Sequence, residues 1–162
     1  MRGLQTSALS RPVCPGARPA GRRAGATILE LAITLVILLN LTFGTIEFGY
    51  FFFMKNTLQG AAREGTRTAI LPSASNQDVT DAVDRVLTSA GLKSAGTTLA
   101  QAGYTLTVKV NGAVANANTA TAGQRVEVSV SASWGTVGLR PLGLIGSGKT
   151  VLGSANMRRE GA

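Results

Sequence analysis

The hydrophobic pattern divides the chain in two. From Leu31 to Ile46 no residue is charged, and Glu47 alone interrupts an apolar run that continues to Met54. About 20 apolar residues cover about 30 Å of hydrocarbon, so the run is long enough to cross a bilayer once, over about 31–54. No helix breaker follows until Leu71-Pro72; Gly44, Gly49, Gly60 and Gly65 weaken the helix without stopping it. The pattern predicts one helix over 26–70, about 65 Å long at 1.5 Å per residue, with about half of it beyond the membrane. In the outer half Leu58, Ala61, Ala62, Gly65 and Ala69 recur at three- and four-residue steps. That small-residue face suits a closely packed partner, either the chain's own C-terminal part or another subunit.

After Pro72 the periodicity changes. Asp78, Asp81 and Asp84 with Val79, Val83, Val86 and Leu87 describe a short amphipathic helix, acidic at its N-terminus and stopped at Gly91. The three aspartates read as a solvated face, because no glycine-turned loop or further ligand accompanies them as a metal site would require. Tyr104 to Val110 alternates, with Leu106, Val108 and Val110 on one side, and Asn111-Gly112 signals a turn. Ala113 to Gln124 is low in complexity and reads as a long mobile loop. Arg125 to Trp134 alternates again, and Lys149 to Met157 supplies a third strand. The expected fold is α+β: a long N-terminal membrane-spanning helix continuing outward, with a small antiparallel sheet and one short helix packed on it. Three strands bury too little to stand alone, so their dry face should lie on the protruding helix.

Charge adds a direction. The net charge is +8, but residues 1–25 carry five arginines and no acid, leaving about +3 for the rest. Arginines flanking a membrane segment stay cytoplasmic, so the N-terminus is expected inside and residues 71–162 outside. The Arg-, Pro- and Gly-rich segment 1–25 reads as a basic disordered leader. A conventional signal peptide fits poorly, since the apolar run ends in Phe51-Phe52-Phe53-Met54-Lys55 with no Ala-x-Ala site. No basic cluster with interleaved aromatics appears beyond the leader, so no nucleic-acid partner is expected. Histidine is absent, which removes the commonest general base and metal ligand. A single cysteine, Cys14, permits neither an intramolecular disulfide nor a thiolate cluster. No cofactor and no metal site is expected.

One acid at the membrane edge requires a reason. Glu30 stands at the mouth of the apolar run, in Gly25-Ala26-Thr27-Ile28-Leu29-Glu30-Leu31, where a charge loses hydration. This stretch resembles the processing site of type IV pilins and pseudopilins. With Ile46-Glu47-Phe48-Gly49-Tyr50 and Ala61-Ala62-Arg63-Glu64-Gly65-Thr66-Arg67, it is most similar to the TadE-like family, pseudopilins of tight-adherence (Flp) pilus systems. The resemblance covers about Arg22 to Ala69. Ala26 departs from the phenylalanine usual at that place in ordinary type IV pilins, which favours the TadE-like branch.

The resemblance implies a pilin-like, non-enzymatic protein of the bacterial inner membrane. A prepilin peptidase would cut between Gly25 and Ala26; other pilins or pseudopilins and a platform membrane protein would be its partners, beside the lipid bilayer. Glu47, Gly49, Arg63, Glu64 and Gly65 would be family-motif positions on the helix. Cleavage would create a charged amine on Ala26. Glu30, followed by Leu31, would pair with that amine on an adjacent subunit, as an assembly contact. The residues leave Glu47 open: Lys55, Arg63 or Arg67 of a neighbour, or headgroup water, are all available.

Two other functions fit parts of the chain. One is an unprocessed single-pass membrane protein with an outward binding or sensing domain. The other is a nucleotide-binding enzyme, because Gly143-Leu-Ile-Gly-Ser-Gly148-Lys149-Thr150 satisfies a phosphate-loop pattern. That pattern works when a strand feeds the loop and a helix follows it. Here Val151-Leu152 has strand character, and a glycine-rich turn between strands is the better reading.

Overall fold

The computed structural model describes residues 21–159 and 161, with side chains from Gly25 onward. The expected disorder of residues 1–20, with Cys14, lies outside the described residues. The chain forms two compact units, one ending at Leu38 and the other covering Leu39–Ala162. Helix α1, Gly21–Ala69, contributes to both. It takes in the last five residues of the segment expected to be disordered leader, because nothing between Gly21 and Gly25 breaks the helical run. In the first unit every side chain from Gly25 to Leu38 is exposed.

The second unit is α+β. Helix α2 spans Asn76–Ser89. Strands β1 (Tyr104–Val110), β2 (Ala113–Val114), β3 (Arg125–Ser133) and β4 (Thr150–Arg158) form one antiparallel sheet in the order β2-β1-β3-β4. Alternation along β3 puts Val126, Val128, Val130 and Ala132 in the core, as the period of two requires. The core lies between this face and one side of α1, where Met54, Leu58, Ala61, Ala62 and Ala69 are fully buried. The small-residue face of the helix is therefore taken by the chain's own sheet and by α2.

Local chemistry fixes each end. Ser75 caps α2 through a capping box: its hydroxyl accepts the Asp78 N–H, and the Asp78 carboxylate accepts the Ser75 N–H at 2.8 Å. At the other end Gly91, with φ of 72°, lets its N–H reach Thr88 O while Leu92 N–H reaches Leu87 O, the paired bonds of a Schellman motif. Asn111 and Gly112 both have positive φ, the geometry a two-residue hairpin turn needs. Of the other two aspartates, Asp84 pairs with the Lys93 ammonium at 2.9 Å and Asp81 accepts the Gln77 amide.

Two expectations are corrected. Ala113 to Gln124 is not a featureless loop. It supplies β2 and a 3₁₀ turn, Ala117–Thr119, that buries Ala117 and Ala120. Asn76 accepts the Ala117 N–H, and the buried Arg159 guanidinium donates to Ala117 O and Pro72 O; low complexity did not register these side-chain anchors. Trp134, expected to end a strand, instead opens a one-turn helix, α3 (Trp134–Val137), under which its ring is fully buried against Tyr50 and Phe51.

Candidate functional site

The acid the sequence left without a partner has one. Glu47 is fully buried on α1, and its carboxylate is gripped by the segment joining α3 to β4. Oε1 accepts the Ile145 N–H at 2.7 Å and Oε2 accepts the Leu142 N–H at 3.3 Å. Two backbone donors from one short loop form a concave nest suited to an anion. Within the chain, Lys55 donates to Leu152 O at 2.8 Å, and Arg63 and Arg67 are exposed.

The loop is held at both ends. Gly138 N–H donates to Trp134 O, Gly135 N–H to Ser147 O, and Trp134 N–H to Lys149 O. The loop packs on the helix at Gly44, where a Cβ would make van der Waals contact with the Leu144 methyl at 3.4 Å. This is the same glycine-rich segment that satisfies the phosphate-loop pattern. Its lysine, Lys149, is exposed, and Thr150 opens strand β4 rather than a helix. Without a following helix there is no dipole to receive phosphate. The anion its backbone holds is the chain's own Glu47.

The other sequence-predicted positions fall into two groups. Gly25, Ala26, Glu30 and Leu31 are all exposed on the first-unit part of α1. Ala26 and Glu30 are four residues apart and so share a helix face. Thr34 donates its hydroxyl to the Glu30 carbonyl at 2.8 Å. On the second-unit part, Gly65 is buried where α1, α2 and β3 meet. A Cβ there would stand 2.8 Å from Val83 Cγ2 and 3.2 Å from Val128 Cγ1. Its neighbours Arg63 and Glu64 are exposed, and around Gly49 a Cβ would meet nothing within 4 Å. Gly65 is thus a packing requirement of the fold, whereas Gly49, Arg63 and Glu64 face outward.

Beyond these, an open groove runs beside α2 and β1, lined by Asn76, Thr80, Leu106, Thr107 and Val114 among others. Its walls carry no charged side chain. Tyr104, at its edge, donates its hydroxyl to Leu92 O, and burial pushes its pKa up. The groove therefore offers no group ready to act as a general acid or base near neutral pH.

Residues 25–67 match the model of the TadE-like protein family. The match begins at Gly25 itself and takes in Glu30, Glu47 and Gly65, and it points to a role related to tight-adherence pili. No curated protein and no solved structure matches the chain. Among the described residues one helix is long and apolar enough to cross a membrane, with a mean hydropathy of 2.1 in its most apolar window. It is the helix that carries the family match.

Leu142 and Ile145 were missed at the level of sequence. The signal was present in two halves: a lone acid in an apolar helix needing donors, and a glycine-rich loop with N–H groups to spare. Nothing in a linear reading joins positions 95 and 98 residues apart.

Proposed function

We propose that this chain is a non-enzymatic pseudopilin, matured by a prepilin peptidase between Gly25 and Ala26, that acts in the biogenesis of tight-adherence pili or a related secretion filament. The observation that carries the reading is the TadE-like match over residues 25–67, which opens on the glycine expected at the cut. The protein sits in the bacterial inner membrane through α1, N-terminus inside and residues 71–162 outside, the orientation favoured by the arginine-rich leader. Its partners are the peptidase, other pilins or pseudopilins, the platform protein and the surrounding lipid. After cleavage the Ala26 amine meets the Glu30 carboxylate of an adjacent subunit. Support for a non-enzymatic role comes from the TadE-like match, and the glycine-rich loop that could suggest nucleotide binding holds Glu47 instead.

Mass spectrometry of the mature N-terminus tests this. In cells carrying a prepilin peptidase the purified chain should begin at Ala26, and Gly25→Leu should leave the leader attached. An intact leader on the unmutated chain would instead favour an unprocessed single-pass protein with an outward binding domain.

A further inference from the structure

The loop between α3 and β4 presents more apolar surface than a solvated loop should. Leu139, Leu142 and Leu144 are 51%, 38% and 57% exposed within six residues. They do not stand alone. Leu144 lies against Gly44, and with Leu41 and Phe48 it lines a shallow apolar groove on the side of α1. Phe43, Ile46, Phe52 and Phe53 are further exposed apolar side chains on the same stretch of helix. Contiguous apolar surface of this kind marks an interaction site. We propose that residues 139–145 are a second membrane-inserting element, their leucines entering the hydrocarbon of the outer leaflet beside the helix, with Glu47 as the internal acceptor that makes insertion possible. This rests on the reading of α1 as a membrane helix.

Lipid is favoured as the occupant by three observations. First, the leucine surface is continuous with the apolar helix and is carried wherever that helix goes. Second, irregular backbone at membrane depth is tolerated only when its polar groups are satisfied within the protein. Leu142 and Ile145 donate their N–H groups to Glu47, at the level where Leu144 meets the helix. An acid in an apolar helix and an irregular loop beside it are each costly in lipid; bonded to each other, the carboxylate and these two N–H groups satisfy one another. Third, Arg140 and Lys149 flank Leu142 and Leu144 and are both exposed. Cationic side chains bracketing an apolar tip reach back to phosphate headgroups while the tip is immersed.

The test uses the full chain with Cys14→Ser, reconstituted in phosphatidylethanolamine and phosphatidylglycerol vesicles. An environment-sensitive fluorophore is attached at Leu144→Cys, at Leu35→Cys as a membrane-helix reference, and at Lys109→Cys as an outer-domain reference. The expected result is that Leu144 behaves like Leu35: blue-shifted emission, quenching by nitroxide-labelled acyl chains, and loss of quenching by iodide. Lys109 should show the opposite. If Leu35 is quenched by lipid while Leu144 is quenched only by iodide, the loop proposal falls and the membrane helix stands. If Leu144 is shielded from both quenchers, a protein surface such as a second copy covers it, and the proposal also falls. If Leu35 itself is reached by iodide and not by lipid, the membrane reading fails with it. In the Leu144→Cys background, Glu47→Ala should restore iodide quenching, and no change would remove Glu47 from the explanation.

Discussion

Gly153 of β4 lies so close to Leu58 of α1 that a Cβ at Gly153 would stand 2.3 Å from the Leu58 carbonyl carbon. Sheet and helix here meet backbone to backbone. Around the contact the helix serves the free edge of β4. Gln59 accepts the Ser154 N–H and donates to Ser154 O, and Lys55 donates to Leu152 O. An edge strand left open is a template for unwanted pairing, and α1 closes it with side chains.

Any side chain at position 153 must therefore push strand and helix apart. The obstacle is backbone, which cannot rotate away, and overpacking of this kind costs about 1–3 kcal/mol or more. Gly153→Val should lower the thermal midpoint of the full chain in detergent. Trp134 is the sole tryptophan and is buried against Phe51 of α1, so its fluorescence reports separation of domain and helix directly. An unchanged midpoint would contradict the close approach.

Two glycines of α1 should respond in opposite directions. At Gly65 a Cβ meets Val83 and Val128, whereas at Gly60 nothing lies within 4 Å. Gly65→Val is expected to lose about 1–3 kcal/mol through overpacking. Gly60→Ala is expected to gain up to about 1 kcal/mol, because alanine is the better helix former. Urea unfolding followed by Trp134 fluorescence would read both, and the same sign for the pair would refute the packing account.

Much of this architecture is legible in the residues. The long helix, the helix with Asp78, Val79 and Leu87, and the alternation of β1 and β3 follow from periodicity alone, and Asn111-Gly112 names its own turn. The face of Leu58, Ala61, Ala62, Gly65 and Ala69 declares a close partner but not which one. That choice depends on the position of Gly153, which a linear reading cannot supply. The segment 113–124 was misjudged because its order comes from distant side chains, Asn76 and Arg159, rather than from its own composition. At the candidate site, the spacing of Gly25 and Glu30 is what the proposed cut and assembly contact rest on, beside the family match over residues 25–67. The grip of Leu142 and Ile145 on Glu47 is a contact between remote positions and is written nowhere in local sequence.

The start of α2 should be sensitive to acid. Asp78 accepts both the N–H and the hydroxyl of Ser75, which holds its carboxyl below the ordinary aspartate range. A group whose folded pKa is depressed stabilises fully above its unfolded value, about 4 for aspartate, and loses that contribution as pH falls through the folded value. Amide exchange over residues 76–80, compared with the intrinsic rate at each pH, should lose protection below about pH 4. Asp78→Asn should remove that pH dependence. Ser75→Ala should cost about 0.5–2 kcal/mol at neutral pH, the usual worth of an N-cap.

Glu47→Ala should free the loop without unfolding the sheet. The substitution leaves the Leu142 and Ile145 N–H groups without an acceptor, and unpaired donors away from water are unfavourable. Hydrogen exchange in the full chain should accelerate at Leu142 and Ile145 while Val128 and Val130, in the centre of the sheet, stay protected. Glu47→Gln should fall between, since its one amide oxygen can still accept from Ile145 while its NH₂ faces a donor at Leu142. Equal protection in all three proteins would mean that the carboxylate does not hold the loop.

Glu30 separates processing from assembly. It lies on the same helix face as Ala26, one turn along and exposed, so its carboxylate is free to meet an amine brought by a neighbouring subunit. Removing it should not stop a peptidase that reads Gly25. Glu30→Gln keeps the shape and the hydrogen-bonding atoms but loses the charge, and a buried amine left facing it would be uncompensated. The expected outcome is a mature N-terminus at Ala26 by mass spectrometry together with loss of surface filaments by electron microscopy. Filaments formed normally by the Glu30→Gln protein would refute the pairing. A retained leader would show instead that Glu30 is read by the peptidase.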